Sequence, residues 1–354
     1  MNLDEQDRFH EVDPEGMLAE IDGLPDQLQA AWDLGQSLPL PIVEGIRQVV
    51  IAGMGGSAIG GDLLAAYVAP RMSIPVIVWR NYDLPAFASG PGTLVITASH
   101  SGNTEETLSA FERGREAGVS LMAITTGGEL ARRAGDHSVP LWRFEHSGQP
   151  RAAVGYSFGL LLAALARQDL IPDTTDEVVD SVAAMNRQQK KLRADIPVTQ
   201  NPAKRLAGQM MERWPTIVGA GLLAPVARRW RTQVSELAKS VAQFEELPEA
   251  DHNMVAGVVQ PESLFGSTMV VFLRASLNHP RNIIRVDATN RILMVEGFGT
   301  NVIQARGDTR LAQQWTCLHF GDYTAYYLAM AYGIDPTPVA AIEGLKEILV
   351  RAEM

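Results

Sequence analysis

The stretch Val49-Val50-Ile51-Ala52-Gly53-Met54-Gly55-Gly56-Ser57-Ala58-Ile59-Gly60-Gly61-Asp62 decides the fold. It opens as a short apolar run that reads as a buried strand, breaks into glycines, and resumes as an apolar helix. Glycine at such a junction lets the chain turn tightly and lets a ligand approach backbone N–H groups. Those groups, with the positive end of the following helix dipole, suit an anion, most often a phosphate. A dinucleotide fingerprint requires G-x-G-x-x-G and then an acid at the end of the second strand. Glycines at 53, 55, 56, 60 and 61 fit that spacing poorly, and the second strand candidate runs into Arg80. No Gly-Lys-Ser/Thr follows the glycines, so a P-loop is absent as well.

Working outward, strand and helix alternate. Strands are expected at Gln48–Ala52, Pro75–Trp79, Thr93–Ala98, Ser120–Thr125 and Val139–Phe144, with helices at Asp62–Tyr67, Thr104–Ala117, Glu129–Ala134 and Ala153–Arg167. Short apolar strands joined by helical crossovers imply an α/β protein with a parallel sheet covered on both faces. Before it, Pro14–Leu38 reads as two short helices broken at Pro25, an arm on the first domain. After it, residues 173–202 are polar and helical in pattern, and their basic run Arg187–Arg193 reads as a solvated face. The theme then repeats more faintly. Thr216–Gly221 is again strand-then-glycine, a helix follows from Ala224 to Val241, and strands are expected at Thr268–Leu273 and Arg291–Glu296. Helices at Arg281–Asp287, Asp322–Tyr332 and Pro338–Arg351 complete the pattern. The expected organisation is a helical arm (1–46), a first domain (47–169), a helical linker (170–205), a second domain (206–335) and a C-terminal helix (336–354).

Bulk composition narrows the function. A chain of 354 residues accommodates two medium domains, and 46% hydrophobic with 20% charged residues permits a large core. A formal charge of −11 argues against nucleic acid or an anionic membrane as partner, but not against a small phosphorylated ligand. Cys317 stands alone, so neither an internal disulfide nor a cysteine metal site is expected. The acidic start Met1-Asn2-Leu3-Asp4-Glu5-Gln6-Asp7 is unlike a secretory signal, and the longest apolar run, Phe158–Ala166, is too short for a bilayer. A cytoplasmic protein is expected.

A second cluster, Ser99-His100-Ser101-Gly102-Asn103-Thr104-Glu105-Glu106-Thr107, follows the apolar strand Leu94–Ala98 and opens a helix. A helix cap needs only one of these hydroxyls. Parallel sheets bind ligands at the carboxyl ends of their strands, where both clusters lie. Ser57 from one turn, beside Gly56, and Ser99, Ser101 and Thr104 from the next are therefore candidates to hold one phosphate together.

This S-x-S-G-x-T-x-E pattern resembles the phosphosugar-binding turn of sugar isomerase (SIS) domains. With Gly-Met-Gly-Gly-Ser-Ala-Ile-Gly-Gly-Asp upstream, the chain is similar to the bifunctional phosphoglucose/phosphomannose isomerase family. Pro150-Arg151-Ala152-Ala153-Val154-Gly155-Tyr156, Glu246-Leu247-Pro248-Glu249-Ala250-Asp251-His252-Asn253 and Tyr332-Gly333-Ile334-Asp335-Pro336-Thr337-Pro338-Val339 continue the likeness in order. The resemblance implies two SIS-type αβα subdomains with parallel five-stranded, flavodoxin-like sheets, a homodimer, a phosphosugar substrate, and no metal or redox cofactor. The activity implied interconverts glucose 6-phosphate and fructose 6-phosphate, and also mannose 6-phosphate and fructose 6-phosphate, through a cis-enediolate. An isomerase of amino sugars or pentose phosphates, or a non-catalytic phosphosugar regulator, is the alternative.

The same likeness assigns roles to residues that are unremarkable alone. Glu236 points nearly opposite the apolar stripe Val234, Leu237, Ala238 and Val241 and reads as a surface glutamate; its place sixteen residues before His252 matches the family's proton-transfer base. His252 lies in a polar loop and corresponds to the histidine that opens the sugar ring, reaching the partner subunit's active site. Lys346 falls at the edge of the stripe Ile342, Leu345 and Leu349, where a lysine covering apolar surface is ordinary. By resemblance it assists ring opening or contacts substrate oxygens. Arg151 is the counterpart of the arginine that stabilises the enediolate, and Thr337 of a threonine linked to accepting mannose 6-phosphate. His100, where an aromatic is usual, and Met254, where an acid is common, depart from the pattern.

Overall fold

The computed structural model describes residues 2–41 and 43–352. Helices α1 (Phe9–Val12), α2 (Met17–Asp22) and α3 (Leu24–Ser37) form the N-terminal arm. Pro25 opens α3 rather than breaking a helix, because a first-turn proline lacks only an N–H that has no partner there. Then come β1 (Gln48–Gly53), α4 (Gly55–Val68), β2 (Val76–Trp79), β3 (Thr93–Ser99), α5 (Glu105–Glu116), β4 (Ser120–Thr125), α6 (Gly128–Asp136), β5 (Leu141–Arg143) and α7 (Val154–Arg167). The five strands make one parallel sheet in the order β2-β1-β3-β4-β5, with Val50 level with Ile77 on one side and Val95 on the other. Helix α4 starts at Gly55, well before the expected Asp62, so the glycines are its first turns and not a loop.

Helices α8 (Thr175–Gln189) and α9 (Pro202–Met210) lead to the second sheet, formed by β6 (Trp214–Ala220), β7 (Gln243–Leu247), β8 (Thr268–Arg274) and β9 (Gly299–Gln304) with α10 (Ala224–Leu237) and α11 (Pro280–Val295) between them. Its order, β7-β6-β8-β9, repeats the first four positions of the first sheet. The described residues hold four strands here where five were expected. After β9 the chain passes directly into α12 (Arg310–Tyr332), twelve residues earlier than expected, and ends in α13 (Ala340–Ala352).

Other departures have local causes. The expected strand Arg291–Glu296 is the last part of α11, since a short apolar run such as Ile292-Leu293-Met294-Val295 fits either structure and only length decides. Strands β7 and β9 are too polar and too exposed to announce themselves: no residue of β9 is fully buried. Val241 lies beyond the end of α10 and is exposed.

Side-chain alternation divides the core into layers. Val49 and Ile51 face one core with α4 and α7, while Val50 and Ala52 face a second with α5 and α6. In the second sheet Ile217 and Val271 turn inward and Val218 and Phe272 outward, toward α11. The two inward faces share one continuous core through α4, α7, α10 and α12. Helix α12 is buried at every residue from Leu311 to Ala331, its glutamines, threonines, histidine and aspartate included. By contrast, the C-terminal stripe expected to be buried is exposed: Ile342, Leu345 and Leu349 of α13 have nothing in the described chain to pack on. No helix among the described residues is long and apolar enough to cross a membrane.

Candidate active site

The site grows from the carboxyl ends of β1 and β3. Met54 is extended at the end of β1, and Gly55 and Gly56 begin α4 with Ser57 buried behind them. Gly56 is glycine because the chain at 150–151 crosses it closely: a Cβ would stand 2.4 Å from the Pro150 carbonyl oxygen. The glycine turn and the Arg151 turn are therefore one packed unit. Arg80, which spoiled the dinucleotide fingerprint, ion-pairs with Asp62 of α4, and Arg228 of α10 joins the same carboxylate at 3.1 Å.

The serine turn is organised before any ligand arrives. Ser99 Oγ lies 2.9 Å from Thr104 Oγ1 and accepts the Gly102 N–H at 3.0 Å. Ser101 Oγ accepts the Asn103 N–H at 3.2 Å, and the His100 carbonyl accepts from the Thr126 N–H and hydroxyl at 3.1 and 2.7 Å. The turn is thus tied to the end of β4, with three hydroxyls at the amino end of α5, where the dipole favours an anion.

Arg151 sits in a short 3-10 turn, Pro150–Ala152, and is almost fully buried. Its Nη2 donates to the Pro336 carbonyl at 2.9 Å and to the Thr337 carbonyl, while Nη1 reaches Gln149 Oε1 at 3.3 Å and Glu236 Oε2 at 3.7 Å. Its Nε is buried without a partner. Burial lowers the guanidinium pKa and Glu236 opposes the shift; an arginine stays charged regardless. Behind it, Arg229 grips Asp322 with both ends of its fork, at 3.1 and 2.6 Å, and donates to the Arg151 carbonyl at 3.1 Å. Thr337 is buried, its N–H donates to Asp335 Oδ1 at 2.9 Å, and its hydroxyl has no partner.

Sequence reading missed several contributors. Lys239 lies just past α10 in the left-handed region (φ 52°) and donates from Nζ to the Glu236 carbonyl at 2.7 Å. Lost solvation, with the Arg151 cation nearby, pushes its ammonium down to about 8. Its position three residues beyond Glu236 was the available signal. Gln149, Asp335 and the Arg229–Asp322 pair carried none, because only the fold brings them together.

Glu236, Arg151 and Thr337 therefore meet beside Gly56 and Ser57. His252 and Lys346 do not join them within one chain. His252 ends an exposed 3-10 turn after β7, whose neighbour Asp251 is held by Arg285 and Thr289 of α11, each at 2.7 Å. Lys346 is exposed on α13. Among the described residues, no hydrogen bond or ion pair links either one to Arg151 or Glu236.

The second sheet has a matching turn after β8. There Asn278 donates to the Ala220 carbonyl at 2.7 Å and accepts the Leu222 N–H at 3.1 Å, tying the end of β6 to that turn.

The family described as "Bacterial phospho-glucose isomerase C-terminal SIS domain" matches residues 199–349. A bifunctional phosphoglucose/phosphomannose isomerase of Caldicellulosiruptor bescii is 38% identical over 94% of this chain and 98% of its own length. Another from Aquifex aeolicus is 33% identical over 86% of this chain and 90% of its own. Among solved structures, a glucose-6-phosphate isomerase like protein of Thermus thermophilus superposes with a TM-score of 0.65 at 19% identity, covering 96% of this chain and 98% of that one. The tagatose-6-phosphate ketose/aldose isomerase of Escherichia coli gives 0.68 at 18%, covering 90% and 94%; both likenesses establish the fold. With two parallel sheets, a serine turn at a strand end, and relatives of this identity along nearly its whole length, the chain belongs to the bifunctional phosphoglucose/phosphomannose isomerase family.

Proposed function

We propose that this protein is an aldose–ketose isomerase that interconverts glucose 6-phosphate with fructose 6-phosphate, and mannose 6-phosphate with fructose 6-phosphate. The observation that carries the chemistry is the meeting of a carboxylate and a buried guanidinium, Glu236 and Arg151, 3.7 Å apart, with Arg151 on the turn that packs against Gly56.

Ser57, Ser99, Ser101 and Thr104 hold the phosphate, with Gly56 letting the Arg151 turn close in. Glu236 takes the C2 proton of the open-chain aldose and returns it to C1, passing through a cis-enediolate. Arg151, already fixed by two carbonyls, offers positive charge where the enediolate oxygens become negative, and pre-set charge needs no reorganisation during the step. Mannose 6-phosphate uses the same base after rotation about C2–C3, and a substrate hydroxyl bonds Thr337; its buried hydroxyl, which lacks a partner, supports this assignment. Ring opening falls to His252 and Lys346. His252 is distant from Glu236 in contacts yet exposed, which supports a homodimer in which His252 of the partner subunit completes each site. The uncovered apolar stripe of α13 supports the same reading.

Glu236→Gln tests the assignment of the base. General-base removal is worth about 10²–10⁴ in rate, so kcat should fall by that factor with both substrates while phosphate affinity is retained. Near-normal turnover would remove Glu236 from the mechanism.

A further inference from the structure

A line of three titratable side chains runs from the N-terminal arm into the serine turn. Glu20 of α2 lies 3.2 Å from His146 Nε2, and His146 Nδ1 lies 2.9 Å from Nε2 of His100, the residue between Ser99 and Ser101. With both imidazoles neutral, the hydrogen bonds leave one proton arrangement. A carboxylate only accepts, so His146 Nε2 carries the hydrogen given to Glu20; neutral His146 then accepts at Nδ1, and His100 donates from Nε2. His100 Nδ1 is then left without a hydrogen.

The line is built into the fold. The His146 side chain is only 7% exposed, and Gly148 is where Glu20 passes: a Cβ there would stand 2.5 Å from Glu20 Oε1 and 2.9 Å from the His146 ring. Phe144 and Tyr156 stack on each other at 4.9 Å and meet the two imidazoles edge-on, Phe144 against His100 at 5.9 Å and Tyr156 against His146 at 6.1 Å. Other ionisable groups nearby are Glu145, Tyr156, whose hydroxyl pKa is raised by burial and by Glu20 and Glu145, and Arg143, which donates to the Thr126 carbonyl. In the free protein, burial and His146 hold His100 neutral, at about 4.

A lone pair is the wrong group to offer a phosphate dianion, whereas an imidazolium is a good one. We propose that Glu20, His146 and His100 act as a proton store for the phosphate turn: docking of a dianionic phosphate monoester draws one proton from solvent onto His100 Nδ1. His100 becomes a donor to the phosphate, its Nε2–H still bonds His146, and Glu20 balances the far end of the line. No other bond forms or breaks. The phosphate gathers charge around itself on arrival, so His100 is a positioning residue for substrate rather than part of the proton transfer at carbon. This inference rests on the serine turn being the phosphate site.

Calorimetry with glucitol 6-phosphate, which cannot isomerise, tests it at pH 7.5, where a monoester with a second pKa of about 6 is already dianionic. Repeating the titration in buffers of different ionisation enthalpy counts protons. The native protein should take up about one proton more per ligand than His100→Phe, and by linkage its Kd should weaken about tenfold more per pH unit between 7 and 8. Glu20→Gln, which keeps the hydrogen bond without the charge, should lose a large part of the extra uptake. Lys239 also titrates in this range, but it does so in every variant and cancels in the difference. A structural role alone would shift affinity equally at all pH values and leave the count unchanged. Equal proton counts in native protein and His100→Phe, with phosphate binding intact, would overturn the proton store alone. Unchanged binding in both Ser99→Ala and Ser101→Ala would overturn the phosphate site and the store with it.

Discussion

Thr337 shows how a single residue can separate stability from function. Its hydroxyl is buried and without a partner, a state that costs about 1–3 kcal/mol when nothing compensates. Thr337→Val keeps the shape and removes that cost, so the thermal midpoint should stay level or rise. If the hydroxyl serves substrate, kcat/KM should fall, more for mannose 6-phosphate than for glucose 6-phosphate, in a coupled assay. A drop in the midpoint instead would assign Thr337 to the fold. Arg151 and Glu236 differ in how far the residues alone announced them. Arg151 follows a proline in a loop, and its fixing by the Pro336 and Thr337 carbonyls, nearly two hundred positions away, has no local trace. Glu236 did leave one, since it stands opposite the buried stripe of its own helix, and on that side it meets Arg151.

At the scale of elements, the join between α4 and the Arg151 turn is the most sensitive. Gly56→Ala puts a methyl 2.4 Å from a backbone oxygen that cannot swing away. Overpacking of this kind costs about 1–3 kcal/mol, and because the displaced turn carries Arg151, kcat should fall further than denaturant stability does. Helix α12 supplies a pH signature. His319 is fully buried, donates from Nε2 to the Ile21 carbonyl at 2.8 Å, and is held down to about 4 chiefly by burial. The unfolded chain, with a histidine near 6.5, binds more protons between those values. Stability from this group is whole above about pH 6.5 and is lost as pH falls toward 4. His319→Gln should flatten that part of a plot of urea midpoint against pH; an unchanged slope would exclude His319 as the cause, His100 contributing equally to both proteins. Elements were legible where burial was complete: β1, β3 and β4 read directly, because fully buried strands are uninterrupted apolar runs. Strands β7 and β9 did not, since edge position relieves them of apolar side chains, and α12 was half missed because its buried glutamines, threonines and histidine imitate a surface.

For the whole molecule, α12 and α13 behave oppositely. The first is enclosed by helices, α8, α9 and α10 above all; Gln314 donates to Leu63 at 3.0 Å and to Leu222 at 3.2 Å, carbonyls from the two halves. The second leaves Leu345 and Leu349, 56% and 45% exposed, beside Ile342 and Ile348. An apolar stripe of that kind calls for a second surface. The double substitution Leu345→Glu and Leu349→Glu should halve the mass seen by light scattering and, if His252 is supplied across the interface, reduce turnover together with it. A native chain that scatters as a monomer, or a fully active monomeric variant, would refute the shared site.

Asn278 sets the two halves apart. They share a strand order and a pair of strand-end turns, yet in one turn the hydroxyls bond each other and in the other one amide bridges Ala220 and Leu222. If the serine turn is the phosphate site, as proposed above, a repeated architecture has become a chain that anchors substrate through its first half and supplies Glu236 from its second.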